Sequence, residues 1–170
     1  QTVNITEDEI FYTDKVSYAG DLPDAISPLA IIEKTQYITS NAPFSQAALT
    51  FAEEEIMSLM SNQGFSSAEV IATTETSDKE GFVDVVVFID PGQRTYIRKI
   101  NFSGNERTHD VVLRREMRQM EGSWASEILL ENSKRRLDRL GYFKQVDYET
   151  TPVSGESDKV DVNFSVEEEF

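Results

Sequence analysis

Apolar and polar residues alternate strictly over the last segment of the chain. The apolar positions there are Val160, Val162, Phe164 and Val166. A period of two predicts a β-strand with one buried and one solvated face. A pairing strand is expected over residues 143–150, because a polar turn that contains Gly155 separates the two segments.

Two segments upstream of these strands have the three-to-four-residue apolar spacing of a helix. They cover residues 108–120 and residues 126–140. Thr108 is the candidate N-cap of the first segment. Gly122 and Gly141 follow the two segments, where left-handed C-cap residues are expected. The pattern therefore predicts two helices followed by two strands.

The same order of landmarks occurs twice in the chain. Residues 12–20 match residues 96–104 at a shift of 84, with tyrosine, lysine, aliphatic, aromatic and glycine positions in common. Two later matches share a shift of 77, namely residues 62–65 with 139–142 and residues 83–85 with 160–162. Matches in one order indicate two homologous units, of which the first has seven extra residues between its helices.

Each unit opens with a strand, and in the second unit one face of this strand is expected to hold Tyr96, Arg98, Ile100 and Phe102. A turn with Gly20 or Gly104 ends the opening strand, and Gly64 or Gly141 ends the second helix. The sequence thus predicts an α+β fold of two tandem βααββ modules. Each module is expected to be a three-stranded mixed sheet with two antiparallel helices on one face.

The expected modules span residues 9–91 and residues 92–168, joined by a short segment with Pro91 and Gly92. Residues 1–8 are similar to the closing strand of the second module and its acidic tail. We interpret them as the remnant of a preceding module or as a linker.

Charge and composition narrow the range of functions. The net charge is −15, but the first 93 residues hold 16 acidic and 3 basic residues, whereas the rest hold 15 acidic and 13 basic ones. An acidic chain repels phosphate backbones, so nucleic acid is not an expected partner. Without cysteine, and with His109 as the single histidine, no metal site, catalytic site or cofactor is expected.

The order of elements and several runs of residues resemble the POTRA (polypeptide-transport-associated) domain. The runs of the second unit are Tyr96-Ile97-Arg98-Lys99-Ile100, Gly104-Asn105, residues 112–122 and Leu140-Gly141-Tyr142-Phe143. They are similar to the last, membrane-proximal POTRA domain of the BamA family of outer-membrane protein assembly factors. The first unit resembles the preceding domain in its pattern and turn positions.

This resemblance implies a non-enzymatic periplasmic segment that is tethered to the outer membrane through a C-terminal β-barrel outside this chain. It implies docking of a BamD-like lipoprotein and other accessory lipoproteins, and guidance of unfolded outer-membrane protein clients to the barrel. Glu116, with Arg114, Arg115 and Arg118, falls where the family contacts the lipoprotein. No small-molecule substrate is implied.

The residues themselves add one mechanism and leave alternatives open. A three-stranded sheet has two edges, and an extended client segment could pair with either of them. The alternatives are the POTRA arm of another barrel-type transporter, TamA-like or from two-partner secretion, or a duplicated small ligand-binding or enzymatic α/β domain. The last of these requires a concave pocket with convergent titratable groups.

Overall fold

A computed structural model describes residues 10–169 of the chain. These residues form two compact units: one holds the residues up to Met60 together with Ser67–Gly92, and the other holds Ser61–Ser66 together with the residues from Gln93 onwards. The remnant predicted at residues 1–8 lies outside the described residues. Among the helices of residues 10–169, none has the length and apolar character needed to cross a membrane.

The first unit has the predicted order of elements. They are β1 (Tyr12–Gly20), α1 (Pro28–Lys34), α2 (Gln46–Ser61), β2 (Glu69–Thr76) and β3 (Phe82–Asp90). The most apolar strand, β3, lies in the centre of the sheet, parallel to β1 and antiparallel to β2. Its inward side chains are fully buried, and they include Val83, Val85 and Val87.

The second unit repeats this topology. Its elements are β4 (Tyr96–Ser103), α3 (Asp110–Arg114), α4 (Glu127–Arg139), β5 (Phe143–Val153) and β6 (Glu156–Glu168). The alternating strand β6 is central, parallel to β4 and antiparallel to β5. Val162, Phe164 and Val166 lie in the core, as their spacing predicts. The predicted α+β fold, two mixed three-stranded sheets with helices, is confirmed.

The first predicted helix of the second unit is wrong in length and in its N-cap. α3 ends at Arg114, and His109, not Thr108, is its N-cap residue. The chain beyond Arg114 leaves the helix because it forms bonds with β4 instead, and the N–H of Gly122 donates to the carbonyl of Ile97 at 2.7 Å. Gly122, with φ +78, is therefore a turn residue beside a strand and not a helix C-cap.

The predicted single face of the opening strand is also wrong. A register shift between Ile97 and Ile100 marks a β-bulge, so these two residues are both buried while Arg98 is exposed. The first unit has the same shift between Thr13 and Val16. A bulge of this kind cannot be read from a strict period of two.

An aspartate of the central strand lies against each bulge. The carboxylate of Asp84 accepts a hydrogen bond from the N–H of Lys15 at 3.1 Å. Asp161, at the matching position of β6, pairs with the guanidinium of Arg98, and the backbone of Lys99 contributes to the lowered pKa of its carboxyl. The matching Val-Asp-Val sequences of the two units thus have a structural role that their alternation alone does not reveal.

The seven extra residues of the first unit do not all lie between its helices. The interval from Gly20 to Ser45 is three positions longer than that from Gly104 to Ser126, and the interval from Ser45 to Gly64 is four longer than that from Ser126 to Gly141. Four of the extra residues therefore belong to α2 and its C-terminal turn, which makes α2 16 residues long against 13 for α4.

Candidate partner-binding site

Arg114, the last residue of α3, is turned towards β4. Its Nη2 donates to the carbonyl of Ile100 at 3.0 Å, and its Nη1 lies 3.2 Å from Oε1 of Glu121. The guanidinium also lies over the ring of Phe102, 5.1 Å from the centroid. These contacts hold Arg114 against its own sheet, so its side chain is structural in this geometry.

Glu121 completes the same arrangement. Its Oε1 accepts a hydrogen bond from the N–H of Ile100 at 2.9 Å. The N–H and the carbonyl of Ile100 are thus both occupied, one by a carboxylate and the other by a guanidinium, as a neighbouring strand would occupy them. We call this pair of side chains the Arg114–Glu121 clamp.

The segment that follows the clamp pairs with the beginning of β4 through its backbone. The N–H of Ile97 donates to the carbonyl of Ser123 at 2.9 Å, and the N–H of Ala125 donates to the carbonyl of Thr95 at 2.9 Å. Together with the clamp, these bonds cover the outer edge of β4 from Thr95 to Ile100. Over these residues the edge is closed to another strand.

Glu116, the residue that the resemblance favours for lipoprotein docking, is turned towards α4. Its Oε2 forms an ion pair with Nη2 of Arg136 at 3.0 Å, and both side chains are partly buried. The Nε of Arg136 is buried without a hydrogen-bond partner in the described residues. The carboxylate of Glu116 therefore balances a partly buried charge and still has exposed surface.

Arg115 and Arg118 are exposed. The side chain of Arg115 forms no hydrogen bond or ion pair within residues 10–169, and Nη1 of Arg118 donates only to the carbonyl of Met117, at 3.2 Å. The four predicted docking residues thus do not form one cluster: Arg114 binds β4, Glu116 binds α4, and the other two face solvent.

The connection that carries these residues is held in place by two buried polar side chains that sequence reasoning missed. Gln119 is fully buried; its Oε1 accepts from the N–H of Ser126 at 2.9 Å, and its Nε2 donates to the carbonyl of Trp124 at 3.0 Å. The buried Oγ of Ser133 accepts from the N–H of Arg118 at 2.8 Å. No local pattern marks these residues, because a polar residue in a loop or on a surface helix usually faces solvent.

The five glycines predicted at turns and caps all have positive φ angles; they are Gly20, Gly64, Gly104, Gly122 and Gly141. At two of them the surroundings also exclude a side chain. A Cβ on Gly20 would collide with the carbonyl oxygen of Ile89, and one on Gly104 would collide with that of Val166. These two glycines let the ends of β1 and β4 approach the central strands.

The electrostatics of the described residues do not resemble those of a catalytic site. The hydrogen bond from Arg98 holds the pKa of Asp161 below its usual range, and the hydrogen bond from Ser77 lowers the pKa of Asp14. Burial, with a hydrogen bond to Glu131, raises the pKa of Tyr148 to about 12. Residues 10–169 contain no group of three or more His, Cys, Asp or Glu side chains placed to hold a metal ion.

A protein-family comparison matches nearly the whole chain. The family model described as POTRA, surface antigen variable number repeat, matches residues 11–92 and residues 95–169. The two matched ranges correspond to the two βααββ units.

Two curated relatives carry the name outer membrane protein assembly factor BamA. The protein from Neisseria meningitidis serogroup B is 35% identical in an alignment that covers 99% of this chain and 21% of that protein. The protein from Nitratidesulfovibrio vulgaris is 30% identical over 91% of this chain and 20% of its own length. The chain thus spans about one fifth of the length of these relatives.

Two solved structures are similar over most of the chain. Haemophilus influenzae BamA POTRA3-5 is 29% identical with a TM-score of 0.74, and the match covers 93% of this chain and 61% of that one. BamA from Haemophilus ducreyi lacking POTRA domains 1-3 is 29% identical with a TM-score of 0.81, over 94% of this chain and 30% of that one.

Proposed function

The chain belongs to the POTRA family and consists of two tandem POTRA domains, and from this premise we propose that it is the periplasmic scaffold segment of an outer-membrane protein assembly factor. The observation that carries the proposal is the identity of 35% with BamA of Neisseria meningitidis over 99% of the chain. POTRA domains of this group are non-enzymatic.

Within such a factor, the chain corresponds to the last two, membrane-proximal domains. The similarity to the Haemophilus ducreyi structure that lacks POTRA domains 1-3 supports this position, since its TM-score is 0.81 over 94% of the chain. In the proposed setting the chain lies in the periplasm, and a C-terminal β-barrel beyond this sequence tethers it to the outer membrane.

The second unit docks a BamD-like lipoprotein, and other accessory lipoproteins bind the same assembly. Arg115 and Arg118 support this assignment because they are exposed and make no ion pair within residues 10–169. Unpaired guanidinium groups are suited to carboxylates of a partner protein. Glu116 lies between them in sequence and adds the opposite charge, so the surface is complementary to a mixed, mainly acidic partner.

The units also bind unfolded outer-membrane protein clients on their way to the barrel, partly by strand addition. Each three-stranded sheet has two outer strands, and an extended chain pairs with an exposed edge through backbone hydrogen bonds. Backbone pairing is largely indifferent to side chains, which suits a scaffold for many different clients.

The docking proposal is tested by calorimetric titration of the 170-residue chain with the BamD-like lipoprotein of the same organism. We expect Glu116→Lys to weaken binding by about tenfold or more. In the proposal Glu116 pairs with a charge of the lipoprotein, and loss of one member of such an interfacial pair costs about 2 kcal/mol or more of binding free energy. Glu149→Lys, the same charge change at an exposed position of β5, is the matched control and should bind like the wild type.

A charge-swapped double variant, Glu116→Arg with Arg136→Glu, separates the two roles of the carboxylate. If the partner contacts Glu116 itself, the swap restores the ion pair of 3.0 Å but not binding. If the swap restores binding, Glu116 only supports the fold of the surface. Absence of binding by the wild-type chain contradicts the docking proposal.

A further inference from the structure

The opening strands of the two units begin with the same edge arrangement. In the first unit the N–H of Thr13 donates to the carbonyl of Ala42 at 2.9 Å, and the N–H of Asn41 donates to the carbonyl of Thr13 at 2.6 Å. In the second unit, the N–H of Ile97 donates to the carbonyl of Ser123 and the N–H of Gly122 donates to the carbonyl of Ile97, at the equivalent positions. Asn41 even has the positive φ of Gly122, at 66° against 78°.

The two edges differ at the next outward residue. This residue is Ile100 in β4, where the Arg114–Glu121 clamp occupies both backbone groups, and it is Val16 in β1, which follows the same bulge. Ser40 precedes Asn41 where Glu121 precedes Gly122. Within residues 10–169, no hydrogen bond covers the backbone of Val16 or Tyr18 on the side away from β3.

An apolar groove lies between this open edge and α1. Its volume is about 180 Å³, and its lining includes Tyr18, Gly20, Asp21, Ile31 and Ile32. The hydroxyl of Tyr18 hydrogen-bonds with that of Thr35 at 2.5 Å, which holds the Tyr18 ring at the groove. Ile32 of α1 is half exposed there, with 52% of its surface accessible.

We propose that an extended segment of an unfolded polypeptide adds to the sheet of the first unit as a fourth strand, along β1 from Val16 to Gly20, with an apolar side chain in this groove. The inference rests on the proposed function, in which the units bind unfolded clients, and it names the edge and the chemistry of the bound segment. The open backbone groups require an extended partner, and the groove requires that apolar side chains alternate along it.

Size and charge define the partner further. A groove of about 180 Å³ holds one or two side chains and is smaller than the pockets that enclose drug-sized molecules. Asp21 lies in its lining, and the first 93 residues of the chain hold 16 acidic residues but only 3 basic ones. The segment therefore carries lysine or arginine between its apolar residues, and acidic segments bind less well.

The strand β2 forms the other edge of this sheet, and it provides the competing location. Ile71, half exposed on β2, is flanked by Val70 and Ala72, which point into the core, and the apolar groove does not reach it. Backbone pairing alone would not distinguish the two edges, but the groove favours β1.

The test uses the ¹⁵N-labelled 170-residue chain and a synthetic nine-residue peptide in which valine alternates with lysine. Titration to millimolar peptide should shift the backbone amides of Val16, Tyr18 and Gly20 and leave those of β2 unchanged. Tyr18→Pro should weaken binding by about fivefold or more relative to Tyr18→Val, because the proline lacks one N–H donor while both variants lack the ring. Proline is tolerated at an outward position of an edge strand.

A second variant is designed to close the outer edge of β1 with a side chain. Ser40→Glu places a carboxylate at the position of Glu121 and should weaken peptide binding, whereas Thr39→Glu, the same charge one residue earlier, should not weaken it to the same extent. If the peptide binds, but shifts the amides of β2 or is insensitive to Tyr18→Pro and Ser40→Glu, the β1 site is wrong and client binding stands. If the peptide binds nowhere on the chain, the client-binding part of the proposed function fails as well.

Discussion

The outer edges of β1 and β4 are the most instructive pair of regions in this molecule. Both strands are parallel to their central strand, contain the same bulge and pair with a following loop at the same position. Two side chains, Arg114 and Glu121, then occupy the outer backbone groups of Ile100, while those of its counterpart Val16 stay open in the described residues. A small number of side chains thus decides whether the outer backbone groups of an edge strand are occupied or open.

The two units also differ in their balance of acidic and basic residues. The residues up to 93 have 16 acidic and 3 basic side chains, so few cations are present to pair with their carboxylates. The remaining residues have 15 acidic and 13 basic ones, and these form pairs such as Arg98–Asp161 and Glu116–Arg136. The proposed partners follow this division, with basic segments for the first unit and a folded partner of mixed charge for the second.

The largest expected effect is a loss of stability at the glycine that ends the opening strand, a feature that both units share. Gly20→Ala and Gly104→Ala should each destabilise their own unit by about 3 kcal/mol or more, because a positive φ disfavours a Cβ and a backbone carbonyl occupies its position. Gly141→Ala also has a positive φ but nothing within 4 Å, and it should cost only about 1 kcal/mol. Urea unfolding followed by amide signals of each unit measures the difference. Equal losses for Gly104→Ala and Gly141→Ala would contradict this explanation.

An intermediate effect is expected from opening the closed edge. Glu121→Ala removes the acceptor of the Ile100 N–H and should cost about 1 kcal/mol of stability. The valine-lysine peptide should then shift amides of β4 that it does not affect in the wild type. Arg115→Ala is the control, since its side chain makes no hydrogen bond or ion pair within residues 10–169. A β4 edge that stays unresponsive in Glu121→Ala would show that the clamp is not what closes it.

The smallest expected effect is a change in how the thermal stability of the second unit depends on pH. The hydrogen bond from Arg98 keeps the pKa of Asp161 below the ordinary value of 3.8. A carboxylate whose pKa is lowered by folding contributes stability above that ordinary value and loses it as the pH falls through the folded-state pKa. Asp161→Asn should therefore reduce the loss of thermal stability of the second unit between pH 6 and pH 3, whereas Glu149→Gln should not. Thermal unfolding at a series of pH values measures this, and parallel curves for Asp161→Asn and the wild type would refute it.

Much of the fold is predictable from local patterns. The alternation in β6, the helical spacing of α4 and the repeated order of glycines depend only on residues close in sequence. The sequence indicated which residues are docking candidates, but it did not indicate which side chains they contact. Neither the ion pair of Glu116 with Arg136 nor that of Arg114 with Glu121 has the spacing of neighbours on one helix, so no periodicity indicates them.

The sequence by itself determined the two units, the order of their elements and the turns that require glycine, because short-range spacing and backbone sterics are sufficient for these features. Only the tertiary structure decided where α3 ends, where the bulges lie and which edge is open. The bonds that settle these points join residues far apart in the chain, as Ile100 and Glu121 are separated by 21 positions. Such contacts exist only once the sheet has formed, and for that reason the surface that partners meet is the least predictable part of this protein.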